Sequence, residues 1–289
     1  MHPLIEKLLA EAPVITDGAW GTQLQARGLG PGECPDAWNL TRPGRVAEVA
    51  QAYIAAGSRV ILSNTFGANR FVLSRHGLEK KTAEINRAGV EISRRAAGAG
   101  AYVFASMGPS GKMLLAGEVT AEELRAAFLE QACALKEGGA DAVVAETMSD
   151  PAEAAIAVQA VRAAGLPVVA SMVFDSGKDK DRTMTGATPE QTAAQLEEAG
   201  ADVIGANCGQ GIEGYVKVCA RLRAATRLPL WMKPNAGLPE IEDGRTVYRV
   251  SASGFAAQAP ALIKAGAGFI GGCCGSTPEF IQALTALDF

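Results

Sequence analysis

Four segments of the chain share one hydrophobic pattern, in which a glycine ends a helix and a short turn leads into a strand. They read AAGSRVILSNTF from Ala55, EGGADAVVAETM from Glu137, EAGADVIGANCG from Glu198 and KAGAGFIGGCCG from Lys264. Glycine at this point adopts the left-handed conformation that closes a helix, and an uninterrupted apolar run is typical of a parallel strand buried on both faces. The repeat therefore predicts four units of a parallel α/β fold.

Four further apolar runs raise the predicted number of strands to eight. They begin at Pro13, Tyr102, Leu166 and Leu228. Helical patterns separate most of the strands, at Val46–Ala56, Ala121–Lys136, Ala152–Ala164, Pro189–Ala199, Tyr215–Ala225 and Phe255–Ala265. Strands that alternate with helices in this number favour a single-domain (β/α)8 TIM barrel over residues 1–289. A doubly wound open sheet is the alternative, but no glycine-rich nucleotide loop follows the first strand.

One longer insertion, Ala236–Ser253, follows the seventh predicted strand, and its DGRTVY stretch predicts a small hairpin. Thr120 followed by Glu123 predicts the start of a helix. Both features are local, and neither changes the predicted barrel.

Composition narrows the classes of function. The net charge of −4 offers nothing to attract nucleic acid or an anionic membrane, and the longest stretch without charged or amide side chains, Ala96–Gly111, is too short to span a bilayer. Glu6 and Glu11 interrupt the first apolar stretch, so we expect no signal peptide and a cytoplasmic location. In that compartment six cysteines are thiols or metal ligands rather than disulfides. A histidine-based hydrolase would depend on His76 alone.

Three cysteines lie at the carboxyl ends of predicted strands, where barrel enzymes place their active sites. Cys208 ends the sixth strand, and Cys273 and Cys274 end the eighth. These strand ends lie roughly 9–10 Å apart at about 4.8 Å per strand, so inward-facing thiolates can meet on one ion. Three thiolates with an open fourth position indicate a catalytic zinc site. The alternatives are cysteines that only pack the core, or a strained disulfide between the adjacent pair.

Two carboxylates, Asp17 and Glu146, also end apolar strands. A buried carboxylate is costly unless it meets a cation, and a substrate ammonium group would serve both acids. The backbone amides of Gly18 and Ala19 are candidates to receive a carboxylate, so the set suits an α-amino acid. The alternatives are that Asp17 is an ordinary turn residue and that Glu146 pairs with a core arginine or lysine. The glycine-rich Gly271–Gly275 segment also permits a phosphate-binding barrel lyase or isomerase.

Six motifs in this order carry a resemblance to a known family: DGAWGTQL, NTFGAN, AETMSD, GANCG, PNAG and GGCCGSTPE. Together they resemble the zinc-dependent homocysteine S-methyltransferase family over nearly the whole chain. The similarity is closest to the homocysteine-binding module of cobalamin-dependent methionine synthase. The resemblance implies an enzyme that transfers a methyl group to the sulfur of homocysteine and forms methionine.

The resemblance also implies roles for the metal-site residues. It implies zinc held by Cys208, Cys273 and Cys274, with the homocysteine sulfur at the open position. Asn235, in PNAG, would occupy the zinc when the substrate is absent. Zinc keeps a bound thiol deprotonated, which provides a nucleophile for attack on an activated methyl group.

For the substrate, the resemblance implies that Asp17 and Glu146 receive the ammonium group of homocysteine and that amides near Gly18 and Ala19 receive its carboxylate. Trp20 departs from the family, because a smaller residue is expected in the DGA-x-GT turn. We expect this tryptophan to change the shape of the substrate entrance.

The resemblance to the cobalamin-dependent branch implies a methyl-corrinoid as the methyl donor. The folate, cobalamin and reactivation modules of methionine synthase are absent from this sequence, so we expect a separate methyl-corrinoid protein to dock over the barrel entrance. The expected docking segments are Asp175–Arg182 and Ala236–Ser253. The alternatives are S-methylmethionine, S-adenosylmethionine or betaine as donor, each of which needs a pocket within this chain. A non-catalytic module that binds zinc and a thiol is a further alternative.

Overall fold

The computed structural model describes residues 2–242 and 245–289. Its ten strands are β1 (Val14–Ile15), β2 (Val60–Ile61), β3 (Tyr102–Met107), β4 (Ala142–Met148), β5 (Val168–Met172), β6 (Val203–Gly211), β7 (Leu230–Asn235), β8 (Glu240–Glu242), β9 (Arg245–Val247) and β10 (Ala267–Ile270). Eight of them form one parallel sheet in the order β1-β10-β7-β6-β5-β4-β3-β2. A parallel bridge between Thr16 and Val60 joins the two ends of that order. The predicted TIM barrel is confirmed, and the open-sheet alternative is wrong.

The helices lie between the strands along the chain. They are α1 (Pro3–Leu9), α2 (Trp20–Ala26), α3 (Trp38–Thr41), α4 (Pro43–Ala55), α5 (Arg70–Ser74), α6 (Thr82–Ala97), α7 (Ala121–Glu137), α8 (Pro151–Ala163), α9 (Pro189–Ala199), α10 (Ile212–Ala225), α11 (Ala252–Ala256), α12 (Ala259–Lys264) and α13 (Pro278–Thr285), with a 3-10 turn at Glu79–Lys81. Within the described ranges, none of these helices combines the length and the apolar character needed to cross a membrane.

Glycines after the helices perform the predicted task. Gly57, Gly139, Gly200 and Gly266 all have φ between 91° and 115°, a region that side chains with a Cβ rarely adopt. Each glycine ends the helical segment before a barrel strand, so the repeated sequence pattern corresponds to a repeated backbone turn. The predicted start of α7 at Thr120 is also confirmed, because its side chain and that of Glu123 form a reciprocal capping box.

The region after β7 differs in part from its prediction. The helix expected over Phe255–Ala265 is two helices, α11 and α12, which are interrupted at Ala257 and Gln258. Pro260 lies in the first turn of α12, and its missing N–H group prevents a continuous helix through this point. The hairpin expected in Ala236–Ser253 is confirmed by the antiparallel pair β8 and β9. Its two central residues, 243 and 244, lie outside the described part.

Two apolar layers, one inside the barrel and one around it, determine where a ligand can bind. The inner layer includes Phe104, Trp231 and Phe269, with the Phe104 and Trp231 rings stacked at 6.0 Å between centroids. Ile5 and Leu8 of α1 pack in the same cluster. The outer layer packs between the strands and the surrounding helices. Because side chains fill the barrel interior, a ligand is confined to the loops at the carboxyl ends of the strands.

Candidate active site

The three predicted metal-binding cysteines lie together at the carboxyl ends of β6 and β10. The Sγ atoms of Cys208, Cys273 and Cys274 all lie within 4.8 Å of one another, and those of Cys208 and Cys274 are 3.7 Å apart. Tetrahedral zinc ligands at about 2.3 Å stand about 3.8 Å from each other, so this spacing suits a shared ion. All three thiols are free and half-buried, so the disulfide alternative does not describe the structure.

A distorted backbone aims Cys208 at the other two thiols. Cys208 and Gly209 have φ values of 63° and 66°, and the register between β6 and β7 shifts between Asn207 and Gly211. A bulge of this kind redirects a side chain that regular alternation would place elsewhere. Gly209 is required, because a Cβ there would lie 2.9 Å from the Val173 Cγ1 atom.

The loop after β10 holds the adjacent cysteines against β7. The Cys273 amide donates to the Pro234 carbonyl at 2.7 Å, and the Ala236 amide donates to the Cys274 carbonyl at 2.9 Å. Ser276 Oγ donates to the Cys273 carbonyl at 2.7 Å. These bonds fix both cysteines beside the end of β7, at the wall of the cavity.

Asn235 provides an independent indication that the cluster suits a metal ion. Its side chain is buried at the end of β7, and its Oδ1 atom has no hydrogen-bond partner among the described residues. An unpaired buried acceptor is costly, and a cation bound beside it would satisfy it. The asparagine and the three thiols together therefore fit a metal ion.

The thiols also interact with one another. Hydrogen bonds from Cys273 and Cys274 lower the pKa of the Cys208 thiol to about 3. The hydrogen bond to Cys208 raises the pKa of Cys273 and also raises that of Cys274, to about 11. The cluster therefore favours one thiolate even without a cation, stabilised by two thiol donors.

Asn207 is a site residue to which the sequence interpretation assigned no role. Its buried Oδ1 atom accepts from the Thr147 amide at 2.9 Å and from Ser171 Oγ at 2.7 Å. Its Nδ2 atom donates to Thr147 Oγ1 at 2.7 Å and to Cys273 Sγ at 3.7 Å. Asn207 thus links β4, β5 and β6 to a predicted metal ligand. The available signal was a polar residue that precedes Cys208 at the end of an apolar strand.

Asp17 differs from the expectation that a substrate ammonium group would neutralise it. Its carboxylate is fully buried and forms an ion pair with Lys233 of β7. The other carboxylate oxygen accepts from Trp20 Nε1 at 2.6 Å and from the Leu62 amide at 2.7 Å. The protein itself therefore supplies the cation. Trp20, the departure from the family pattern, anchors Asp17 as well as lining the cavity.

Glu146 is the carboxylate that faces the cavity. Its Oε1 atom accepts from Ser106 Oγ at 2.5 Å, while no hydrogen bond from a described residue reaches Oε2. Burial raises the pKa of Glu146, and the positive charge of Lys233 opposes that rise. The alternative left by the sequence, a pairing of Glu146 with a core arginine or lysine, is not observed as an ion pair in contact among the described residues, because Lys233 pairs with Asp17 and acts on Glu146 only as a neighbouring charge.

Gly18 and Ala19, the predicted carboxylate-binding residues, line the same cavity. The Ala19 amide already donates to the Ser276 carbonyl at 3.3 Å, so it is not a free donor for a substrate carboxylate. A Cβ on Gly18 would lie 2.8 Å from the Tyr53 hydroxyl oxygen, which explains the glycine by close packing.

The cavity beside the thiols has a volume of about 530 Å³. It is lined by the three thiols, Glu146 and Lys233, and also by Asp36, Phe66, Arg75 and His76 among others. Cavities of a few hundred Å³ hold drug-sized ligands, so this one is larger than a small amino acid requires.

The chain matches known proteins along nearly its full length. The family model described as homocysteine S-methyltransferase matches residues 14–287. Methionine synthase of Mycobacterium leprae (strain TN) is 31% identical over 96% of this chain, and that of Mycobacterium tuberculosis (strain ATCC 25618 / H37Rv) is 30% identical over 96%. The chain spans about a quarter of the length of these relatives, 24% and 25% respectively.

A solved structure is similar over the whole chain. The metallated form of the homocysteine methyltransferase MmuM from Escherichia coli has a TM-score of 0.83 and 25% identity, and the match covers 99% of both chains. The predicted family and the predicted class of methyltransferase enzyme are thereby confirmed. The chain belongs to the homocysteine S-methyltransferase family.

Proposed function

We propose that this protein is a zinc-dependent homocysteine S-methyltransferase that forms methionine, with zinc held by Cys208, Cys273 and Cys274. The observation that carries the proposal is the approach of three Sγ atoms to within 4.8 Å at the wall of a cavity. The unpartnered Oδ1 atom of Asn235 supports it, because this atom suits a fourth ligand that leaves when substrate binds. The metallated form of the Escherichia coli relative is consistent with it.

The metal and the side chains would have different tasks in the reaction. Bound zinc would supply a Lewis acid that keeps the substrate sulfur as a thiolate at neutral pH, where a free thiol with a pKa of about 8.5 is mostly protonated. Glu146 offers its Oε2 atom to the substrate ammonium group, and Gly18 and Ala19 form the wall that the carboxylate approaches. Asn207 orients the Cys273 sulfur through Nδ2.

For the donor, we propose a separate methyl-corrinoid protein that docks on the barrel entrance. Six of the seven large hydrophobic side chains that are exposed in the described residues lie in segments that follow the carboxyl ends of barrel strands. This apolar rim consists of Phe66, Met113, Leu115, Met184, Leu238 and Ile241. Exposed apolar residues that surround an opening are typical of a protein interaction site. Two of them, Leu238 and Ile241, lie in the predicted docking segment Ala236–Ser253, whereas Met184 lies just beyond Asp175–Arg182.

A second candidate is a small methyl donor bound inside the chain, such as S-methylmethionine, S-adenosylmethionine or betaine. The cavity volume of about 530 Å³ favours it, because homocysteine leaves much of that space unfilled. The likeness to the Escherichia coli enzyme over 99% of both chains is also consistent with a donor that needs no further module.

A metal analysis tests the acceptor site. We expect one zinc per chain in the purified protein and homocysteine binding by calorimetry. The Cys273→Ala/Cys274→Ala variant should lose both while remaining folded, and Cys133→Ala, which changes an exposed cysteine of α7, should lose neither. Full zinc retention in the double variant would refute the proposed ligand set.

A donor panel tests the second half of the proposal. Methionine formation from homocysteine is measured with methylcobalamin, S-methylmethionine, S-adenosylmethionine and betaine as donors. Turnover with methylcobalamin alone supports the corrinoid proposal. Efficient turnover with one of the other three donors and none with methylcobalamin supports the small-donor candidate. Homocysteine binding without turnover over any donor would indicate a non-catalytic module.

We also propose a cytoplasmic location. All six cysteines are free, and thiols persist in the reducing compartments of the cell. Labelling of intact cells with a membrane-impermeant maleimide should leave Cys133, the exposed thiol, unmodified until the cells are lysed.

A further inference from the structure

A second cavity lies beside the thiol cavity and has no role in the proposed reaction. Its volume is about 270 Å³, and it is lined by residues that follow β3, β4 and β5. Pro109 and Gly111 line both cavities, so the two are neighbours. Three residues of the apolar rim, Met113, Leu115 and Met184, line this second cavity. This rim cavity is therefore part of the surface that the proposed donor protein would cover.

Glu153 is a buried acid that lines the rim cavity. It lies in the first turn of α8 and is 5% exposed. Its Oε1 atom accepts from the Ser110 amide at 2.7 Å and from Ser110 Oγ at 2.5 Å. No hydrogen bond from a described residue reaches its Oε2 atom, which is not among the fully buried atoms without a partner. Ser110 thus satisfies one oxygen of the carboxylate, and the other is open to a ligand in the cavity.

The charges around Glu153 favour a cation as that ligand. Burial raises the pKa of Glu153, and the negative charge of Asp150, which lines the same cavity, adds to that rise. Lys112 is the one cation that lines the rim cavity among the described residues, and it forms no ion pair with Glu153. A ligand cation beside the two acids would offset the cost of a charged carboxylate at a buried position.

Apolar side chains form much of the remaining wall of the rim cavity, namely Met113, Leu114, Leu115 and Met184. Lysine and arginine side chains bury an aliphatic stem against apolar surface and keep the charged head at a polar partner. We propose that the rim cavity receives an arginine or lysine side chain of the protein that docks over the barrel entrance, with the stem against the apolar wall and the cationic head on Glu153. This inference rests on the proposed protein donor, and it adds the chemistry by which that protein is recognised.

Two small molecules test the cavity without any partner protein. They are n-butylguanidinium, which mimics an arginine side chain, and n-butylurea, which is its neutral analogue. Each is titrated into protein with isotope-labelled methionine methyl groups and followed by NMR. We expect n-butylguanidinium to shift the Met113 and Met184 signals saturably and to bind about 10-fold more tightly than n-butylurea, because it gains a charge-assisted hydrogen bond. Equal affinity of the two molecules, or no saturable shift with either, would overturn the proposal.

Glu153→Gln removes the charge and keeps an acceptor for Ser110. We expect this variant to bind n-butylguanidinium about 10-fold more weakly than the wild type does and to bind n-butylurea unchanged. Glu122→Gln is the matched control, because Glu122 is an exposed acid in the first turn of α7 and does not line the rim cavity. If Glu153→Gln binds n-butylguanidinium as tightly as the wild type, Glu153 only supports Ser110 and the proposal is wrong. The comparison of the two molecules in the wild type decides the matter if this variant does not fold.

Kinetics then connect the rim cavity to the donor protein. With a methylated corrinoid protein of the methionine synthase type as donor, we expect Glu153→Gln to lower kcat/KM about 10-fold. In the wild type, n-butylguanidinium should compete with that protein, and turnover with free methylcobalamin should be unaffected in both experiments. If n-butylguanidinium binds the cavity without competing, the cavity does not recognise the donor protein and this inference fails alone. Turnover with small donors only would refute the proposed donor protein and this inference with it.

Discussion

Burial of charge determines what each acid of the site can do. Asp17 is held by two neutral donors and a lysine, so its charge is balanced inside the protein. Glu146 has a serine hydroxyl on one oxygen, and burial raises its pKa. Removing either partner of a buried ion pair leaves an uncompensated charge. A ligand cation beside Glu146 would instead neutralise a carboxylate that has no counter-ion in contact. The two carboxylates therefore differ: the charge of Asp17 is balanced within the protein, whereas Glu146 has an oxygen that accepts no hydrogen bond from a described residue.

Asn207 should control metal affinity without touching the metal. We expect Asn207→Ala to weaken zinc binding by about 10- to 100-fold, because residues that orient ligands have effects of this size. Competition with a chromogenic chelator measures the change. Asn86→Ala is the matched control, since Asn86 is also buried but donates to the Ala68 and Thr82 carbonyls away from the thiols. Unchanged zinc affinity in Asn207→Ala would show that the bond to Cys273 is incidental.

Asp36 should make stability depend on pH. Burial raises the pKa of its carboxyl to about 7 from the usual 3.8, and its neighbours include Cys34 and the Gly67 amide. Because the folded-state pKa is raised, the stabilising contribution is complete below about pH 3.8 and is lost as pH rises through about 7. Asp36→Asn keeps an acceptor for the amide and should therefore be more stable than the wild type at pH 8, by on the order of 3 kcal/mol.

Urea unfolding at pH 5 and pH 8 measures this difference. The wild type should lose stability between the two values relative to Asp36→Asn. If the free energy of unfolding changes by the same amount in both proteins between pH 5 and pH 8, Asp36 is already ionised at pH 5.

The sequence predicted the thiols but not the partner of Asp17, and the reason is geometric. Cys208, Cys273 and Cys274 are identified by their position alone, because the carboxyl ends of all barrel strands meet on one face. The ion pair of Asp17 with Lys233 joins β1 to β7, which are separated by β10. Such a contact depends on the relative register of two strands, and a continuous apolar run has no alternating pattern from which that register could be read.

At the scale of the elements, the three thiols lie on irregular backbone and not on regular strands or helices. The regular strands and helices follow from apolar runs and from glycines that end helices, so most of them could be predicted. The bulge at Cys208 and the bent loop at Cys273 and Cys274 could not be predicted in detail, because they depend on close packing. A Cβ on Gly271 would lie 2.0 Å from Thr16 Oγ1, and one on Gly272 would lie 2.2 Å from Ser276 Oγ.

Gly275 should connect the hairpin insertion to the site. It has a φ of 81°, and a Cβ there would lie 2.3–2.8 Å from three atoms of the Tyr248 ring. We expect Gly275→Ala to displace Tyr248, which contacts Cys274, and to weaken homocysteine binding. Gly117→Ala is the matched control, because Gly117 has a φ of 69° with no atom within 4 Å of a Cβ. The control should lose about 1 kcal/mol from backbone strain alone.

Two measurements separate backbone strain from the effect of the displaced Tyr248 on the thiol site. Urea unfolding compares the free energy of unfolding of the two variants, and calorimetry compares their homocysteine affinity. Equal losses of stability in both variants, with unchanged affinity, would contradict a link between the insertion and the thiols.

At the scale of the whole molecule, the distribution of exposed apolar side chains is one-sided. The apolar rim lies in segments that follow the carboxyl ends of barrel strands, whereas Phe289, the remaining exposed large hydrophobic among the described residues, lies at the carboxyl terminus. Of the six rim residues, Phe66 lines the cavity beside the thiols and the other five do not, so those five are not needed to bind a small acceptor there. A large partner that presents a methyl group to the thiol site would cover the rim.

Removing apolar side chains from the rim should therefore affect only a protein donor. In Leu238→Ser/Ile241→Ser we expect kcat/KM for a methylated corrinoid protein of the methionine synthase type to fall about 10- to 100-fold, as the loss of two interface contacts would produce. Zinc content, homocysteine affinity and turnover with free methylcobalamin should be unchanged, because these side chains are 65% and 75% exposed and do not line the cavity. Phe289→Ser, which removes a large apolar side chain that is 52% exposed elsewhere, should leave all four quantities unchanged. If the rim variant uses the corrinoid protein as well as the wild type does, the rim is not the docking surface, and a donor bound within the cavity becomes the better explanation.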